Sequence, residues 1–274
     1  FDGSIVFLDV EDDGDQDVII AGQDASSYTA GLYINDGSGV FTLASTPFAG
    51  VGYSSLSVAD VDGDLDTDVL ICGQANSGVK ANLYINDGLG NFTLDAVAST
   101  TFTGIYLGTS EFGDVDGDGD PDLVLMGYAD SGTFSGMYLN DGNGVFTVTA
   151  SSFPPLNGSD IAFSDIDDDT DMDIVIAGND PMIGGTTKLY FNDGTGVFTL
   201  GNTSVFSDFG SAWLCFNDVD TDGDEDLVIT GSVPGLGSNT ILYSNDGNGV
   251  FAQVAGTPFT GVYNGCVSFD DIDG

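Results

Sequence analysis

The chain has 274 residues, 41% of them hydrophobic, enough to bury a substantial core. Its formal net charge is -42, from 44 acidic residues against Lys80 and Lys188, with no arginine and no histidine. Nucleic acid and anionic membrane surfaces are therefore poor partners, and Ser-His-Asp, Cys-His and histidine-zinc chemistry are excluded within this chain.

The first predicted element is a strand. Apolar residues stand four and two places before an aspartate, as Ile5 and Phe7 before Asp9. Leu56 and Val58, Ile161 and Phe163, Leu214 and Phe216, and Val267 and Phe269 repeat the pattern; Ser110 and Phe112 vary it. Period two with mostly small residues between predicts one buried face and one face fit for a crowded axis.

An acidic loop follows, Asp9-Val10-Glu11-Asp12-Asp13-Gly14-Asp15-Gln16-Asp17. Acids at positions one, three, five and nine turn short carboxylates toward one point, and a glycine at six permits the bend. A hard cation such as Ca2+ takes six to eight oxygen ligands, which suits this pattern. Next comes a short apolar run ending in glycine, Val18-Ile19-Ile20-Ala21-Gly22, read as a strand covered on both faces. A variable loop of about ten residues leads to a third strand ending in Tyr33-Ile34-Asn35. Asp36-Gly37-Ser38-Gly39 then forms a tight hairpin, and a fourth strand opens at Phe41.

The whole unit recurs. First aspartates fall at 9, 60, 114, 165, 218 and 271, in steps of 51, 54, 51, 53 and 53 residues. The repeats run approximately 1–47, 48–101, 102–152, 153–205 and 206–258, with a partial sixth at 259–274, and form a single array. From the second unit on, a phenylalanine lies 12 residues before each first aspartate: Phe48, Phe102, Phe153, Phe206 and Phe259. Four antiparallel strands cannot cover both faces of their own sheet, whereas sheets packed radially can; the fold class is all-β, a β-propeller of four-stranded antiparallel blades. Calcium-binding parallel β-helices have far shorter, all-parallel repeats. Six first strands against five complete sets of the others lead us to expect further blades beyond Gly274.

Cys72, Cys215 and Cys266 lie in apolar, strand-like runs and read as buried free thiols, with a Cys215–Cys266 pair left open. No run is long and apolar enough to span a bilayer, so no direct membrane insertion is expected. No leader is visible and Phe1 is not an initiator methionine, so the sequence reads as a mature fragment.

Through Asp-x-Asp-x-Asp-Gly-x-x-Asp and Asn-Asp-Gly-x-Gly-x-Phe, the chain resembles the FG-GAP/VCBS repeat family in its bacterial form, over essentially its whole length. The family includes the integrin α-subunit propeller and many secreted bacterial surface proteins. The resemblance implies a seven-bladed ring with Ca2+ in the first hairpin loop of each blade, about one per complete repeat. Carried over by position, the side-chain ligands are Asp9, Glu11, Asp13 and Asp17; Asp60, Asp62, Asp64 and Asp68; Asp114, Asp116, Asp118 and Asp122; Asp165, Asp167, Asp169 and Asp173; and Asp218, Asp220, Asp222 and Asp226. Position seven would ligate through its backbone carbonyl, at Asp15, Asp66, Asp120, Asp171 and Asp224, and the incomplete sixth loop holds Asp271 and Asp273. Three departures matter: Glu11 is one methylene longer than aspartate, and Leu65 and Thr170 stand where glycine is usual.

A self-filled carboxylate loop suits a structural metal, so the expected role is a non-catalytic, calcium-stabilised binding or adhesion module of an extracellular or cell-surface protein. Its partner would be a protein or carbohydrate ligand at the variable segments, where Tyr28, Tyr128 and Phe134 offer aromatic surface. The alternative is a structural segment of an extracellular assembly or filament, with self-assembly. An accessory domain of a carbohydrate-active enzyme ranks third; paired carboxylates cleave glycosides, yet nothing marks a pair outside the metal loops.

Overall fold

The computed structural model describes residues 3–262 and 265–269 and separates into two compact units, Phe1–Phe112 with Gly119–Phe153, and Gly113–Asp118 with Pro154–Gly274. The first unit carries three sheets. They are β1 (Gly3–Leu8), β2 (Asp17–Gln23), β3 (Tyr28–Asn35) and β4 (Phe41–Leu43); β5 (Gly52–Ala59), β6 (Asp68–Ala75), β7 (Gly78–Ile85) and β8 (Thr93–Leu94); and β9 (Tyr106–Gly113), β10 (Asp122–Ala129), β11 (Gly132–Leu139) and β12 (Thr147–Thr149). The second carries β13 (Asn157–Ser164), β14 (Asp173–Asp180), β15 (Gly184–Phe191) and β16 (Thr199–Leu200), then β17 (Gly210–Asn217), β18 (Asp226–Val233), β19 (Gly237–Ser244) and β20 (Ala252–Gln253). Each sheet is an antiparallel meander in strand order, the build of a β-propeller blade. A single helical turn, α1 (Ala98–Thr101), precedes the third sheet. Among the described residues no helix is long and apolar enough to cross a membrane.

The apolar runs are buried as their composition requires: Val69 to Cys72, Leu123 to Met126 and Ile174 to Ala177 are at most 1% exposed. Neighbouring sheets within a unit share their cores. Leu8, Val10 and Ile19 of the first sheet pack with Val51, Ile71 and Phe92 of the second repeat. Ile166 and Val175 do the same with Phe209, Leu227 and Ile229 in the second unit. First strands of neighbouring blades in the first unit meet through serines from both of their faces. Ser4 and Ser54 meet at 2.9 Å, and the Ser57 hydroxyl donates to the Ser110 carbonyl at 2.7 Å.

In three of the repeats the recurrent phenylalanine joins the incoming connection to its blade. Phe102 packs against Tyr138 at 5.1 Å and Phe146 at 4.9 Å, and the Thr103 amide donates to the Tyr138 hydroxyl at 3.0 Å. Phe48 with Tyr84 and Phe92, and Phe206 with Tyr243 and Phe251, repeat this trio.

Several expectations are corrected. The variable segments are not loops of about ten residues: the second and third strands continue into them, leaving only turns at 24–27, 76–77, 130–131, 181–183 and 234–236. Ala75 faces Gly78 and Ala129 faces Gly132, so ladder bonds override a Gly, Ser and Asn composition that reads as loop. The fourth strands are short, and in the last four blades they begin one residue after the phenylalanine. In the first sheet the expected buried face is exposed, with Ile5 at 57%, Phe7 at 58% and Ile20 at 42%, whereas the equivalent Ile71 is 1% exposed beneath the first sheet's own core. Residues 265–269, expected as a sixth first strand, form no strand. All three cysteines are free, Cys72 buried, Cys215 half-buried and Cys266 exposed, so the open Cys215–Cys266 pairing is not formed.

Candidate metal centre

Each acidic loop is shaped by its first residue. The Asp9 carboxylate accepts from the amides of Asp13 at 3.2 Å and Gly14 at 2.8 Å. Asp60 accepts from Gly63 and Leu65, both at 2.9 Å; Asp165 from Asp169 and Thr170, both at 3.1 Å; and Asp218 from Asp222 and Gly223 at 3.2 and 3.1 Å. These bonds wind the chain around one carboxylate, and the winding needs left-handed backbone at two places. Position six has φ of +90° at Gly14, +93° at Gly119 and +101° at Gly223, and also +76° at Leu65 and +78° at Thr170. Position four is left-handed too, at Asp12, Gly63, Gly117, Asp168 and Thr221. Leu65 and Thr170 thus hold the bend at a steric cost that glycine avoids.

The ninth residue ties the loop to the sheet. Asp17, Asp68, Asp122, Asp173 and Asp226 are at most 1% exposed. One oxygen of Asp68 accepts from the Val61 amide at 3.1 Å and the other from the Asn86 amide at 2.8 Å; Asp17, Asp173 and Asp226 make the same pair of bonds. Burial, opposed by these two amides, pushes Asp68 and Asp173 up to about 7.

Among the described residues, carboxylate oxygens of Asp60, Asp62 and Asp68 lie within 4.8 Å of one another, as do those of Asp165, Asp167 and Asp169, and of Asp218, Asp220 and Asp222. The third loop passes from one unit to the other and is described in two parts. Asp114 accepts from the Gly117 amide at 2.8 Å in one, and Asp122 accepts from the Asn140 amide at 2.7 Å in the other. Not every predicted ligand joins a trio. Asp64 is outside the second; its Oδ1, like those of Asp13, Asp169 and Asp222, accepts from the amide two residues on. Asp173 and Asp226 are outside theirs, and the first loop, with the longer Glu11, supplies no such trio. Asp271 and Asp273 lie outside the described residues.

Position three shows what the loops lack. Glu11 Oε2, Asp116 Oδ1 and Asp167 Oδ1 are buried without a hydrogen-bond partner. Such an atom is costly unless something positive meets it. Burial, then neighbouring carboxylates, raises the pKa of Glu11, Asp62, Asp116, Asp167 and Asp220. An all-oxygen set with orphaned buried atoms and clustered negative charge fits a metal ion.

Position seven points elsewhere. The carboxylates of Asp15, Asp66, Asp120, Asp171 and Asp224 lie against Gly37, Gly88, Gly142, Gly194 and Gly247, the glycines of Asn-Asp-Gly. A Cβ on Gly88 would come within 2.6 Å of the Asp66 carboxylate, so that glycine is required by space as well as by its φ of +68°. Sequence reasoning missed the asparagine before it. Asn86 donates its side-chain N–H to the Val10 carbonyl at 3.1 Å, Asn140 to Val61 at 2.8 Å, Asn192 to Val115 at 2.8 Å and Asn245 to Ile166 at 2.8 Å. Each reaches position two of the preceding acidic loop, so the turn of one blade clamps the loop of the last. The available signal was an asparagine in all five turns, where glycine alone would make the turn.

Among curated proteins none matches the chain. Among solved structures it is similar to that of β-fructofuranosidase from Schwanniomyces occidentalis complexed with fructosyl-erythritol, with a TM-score of 0.45 and 9% sequence identity. That likeness covers 89% of this chain and 57% of the enzyme chain, so this chain spans little more than half the enzyme's length. A family model described as FG-GAP-like repeat matches residues 9–71, 60–125 and 114–176, overlapping windows that each run from one acidic loop into the second strand of the next blade. Together they span more than half of the chain, which therefore belongs to the FG-GAP-like repeat family.

Proposed function

We propose that the chain is a calcium-stabilised, non-catalytic binding module of a secreted or cell-surface protein, presenting its second-to-third strand turns to a protein or carbohydrate ligand. The observation that carries this reading is the buried, partnerless oxygen at position three, on Glu11, Asp116 and Asp167, which in the fourth loop stands within a carboxylate trio. Positions one, three, five and nine would hold the ion, with the position-seven carbonyl beside them. Ca2+ supplies charge compensation and pins the hairpin; Mg2+ demands a tighter octahedron.

Extracellular calcium modules bind at about 10⁻⁴ to 10⁻³ M, and at ~10 times the dissociation constant each site adds ~1.4 kcal/mol by mass action. Five sites then contribute several kcal/mol, on the scale of the ~5–15 kcal/mol that holds a domain together. Sub-micromolar cytosolic Ca2+ would leave such sites empty, which supports a secreted or surface location. Catalysis is disfavoured because the carboxylates are committed to the loops and the chain has no histidine. Protein and glycan arrays probed in Ca2+, with variants whose turns at 24–27, 76–77 and 130–131 are replaced, test the reading: loss of binding supports it, and turn replacements that leave binding unchanged contradict it.

A second reading, a segment of an extracellular assembly, draws on the exposed Ile5, Phe7 and Ile20 of the first sheet. Electron microscopy of native material separates an ordered polymer from a ligand-binding monomer.

A further inference from the structure

The strand ends opposite the acidic loops carry different chemistry. In the first unit Tyr28 lies over Gly52, where a Cβ would come within 2.7 Å of its ring. Tyr53 follows and sits 6.4 Å from Tyr106, which stacks on Tyr128 at 5.7 Å with 29° between the rings. All four rings are half-buried. The row therefore crosses three blades.

One member is held at a cost. The first strands begin with a register slip, seen between Gly52 and Ser55, Asn157 and Asp160, and Gly210 and Trp213. At this station the backbone is left-handed, with φ of +51° at Tyr53, +49° at Leu107, +51° at Gly158 and +47° at Ser211. The bend belongs to the repeat, and Gly158 shows that glycine fills it. A tyrosine there is sterically disfavoured, as Leu107 is at the same station, so Tyr53 is tolerated and not favoured by its backbone.

Beside Tyr28 a cavity of about 180 Å³ is lined by Gln23, Ser26, Ser27 and Asn76. This is well below a drug-sized pocket and on the scale of a single sugar ring. The lining is neutral. The nearby Asp24 carboxylate accepts from the Ser26 and Ser27 amides, both at 2.7 Å, and from both hydroxyls, so it is turned into its own turn. The serine oxygens keep lone pairs that accept, and each amide both donates and accepts, which matches sugar hydroxyls. Aromatic rings match the C–H faces of sugars. A chain of net charge -42 repels anionic glycans.

We propose that Tyr28, Tyr53, Tyr106 and Tyr128, with Gln23 and Asn76, form a binding row for a neutral oligosaccharide. This rests on the reading of the chain as a binding module and names its ligand class. The test is calorimetric titration of the calcium-loaded protein with cellohexaose, laminarihexaose, chitohexaose and xylohexaose, and with an oligogalacturonate as the anionic contrast. At least one neutral hexasaccharide binds, the oligogalacturonate does not, and Tyr53→Gly and Tyr128→Ala each weaken binding about tenfold. Tyr53→Gly adopts the bend that Gly158 already takes, which offsets the lost ring packing, and its melting temperature, read beside its affinity, separates lost binding from lost folding. No binding across the neutral panel, or binding unchanged in both variants, overturns the proposal. A protein ligand lost on turn replacement but retained by Tyr53→Gly overturns it while leaving the binding module standing. Failure of every probe, protein or glycan, removes both.

Discussion

The asparagine clamp predicts a large difference between two chemically identical substitutions. Asn140 is 5% exposed; its side-chain N–H meets the Val61 carbonyl and its Oδ1 accepts from the Asp141 amide at 2.9 Å. Asn140→Ala removes both bonds. The Val61 carbonyl keeps the Gly144 amide at 2.9 Å, so it is not stranded, and the amide of the exposed Asp141 turns to water. One buried and one part-buried hydrogen bond lost together cost ~1–3 kcal/mol. Asn35 occupies the same station in the first sheet, half-exposed; its side chain donates to the Gln16 carbonyl at 3.2 Å and accepts from the Gly39 amide at 3.1 Å, both within its own blade and both open to water. Asn35→Ala costs ~0.5 kcal/mol or less, the range of surface changes. Urea unfolding in saturating Ca2+, read by the stability difference of each variant from wild type, measures both. Equal costs for the two variants would refute the inter-blade clamp.

Other outcomes follow from the loops. Leu65→Gly relieves a left-handed bend worth ~1–2 kcal/mol, less ~0.5–1 kcal/mol of unfolded-state entropy, at a residue 84% exposed that loses no packing. Stability and calcium affinity therefore rise, as with Thr170→Gly; a fall in urea midpoint would contradict this. Asp167→Asn removes a charge whose oxygen is buried and unpartnered. The variant is more stable than wild type in EGTA and binds less Ca2+, an inversion that paired urea curves would show; destabilisation under both conditions is the contrary result. The pH dependence has a definite sign. Asp68 and Asp173 stand near 7 in the folded chain, raised from 3.8, so their contribution is full below about pH 4 and is lost as pH rises through 7. In EGTA the urea midpoint accordingly falls between pH 5 and pH 8, and Ca2+ removes the trend by taking the place of the protons; a midpoint that climbs over this window in EGTA would contradict it.

Much of the blade is legible because its signals are local. The run Leu123 to Met126 is apolar throughout and is buried throughout. Phe102 recurs 12 residues before an acidic loop, and it packs on the tyrosine and phenylalanine that recur with it. The glycines at position six take the bend expected of them, and Leu65 takes it without being glycine. Position four was obscured because it varies, with glycine at Gly63 and Gly117 but aspartate at Asp12 and Asp168 and threonine at Thr221. The strands running on into the supposed loops were hidden because ladder pairing, not composition, decides that Ala75 faces Gly78. The clamp joins residues 76 to 79 places apart, beyond any local pattern. Tyr53 and Tyr128 become neighbours of Tyr106 only through strand pairing and sheet packing.

Bound calcium, counted by elemental analysis at equilibrium dialysis against Ca2+ held at ~10 times the dissociation constant and paired with melting curves in Ca2+ and in EGTA, tests the central claim most directly. About one ion per complete repeat, and a melting temperature that drops when EGTA removes it, is the predicted result. Loops that retain no metal, in a protein that melts at the same temperature with and without EGTA, would contradict it.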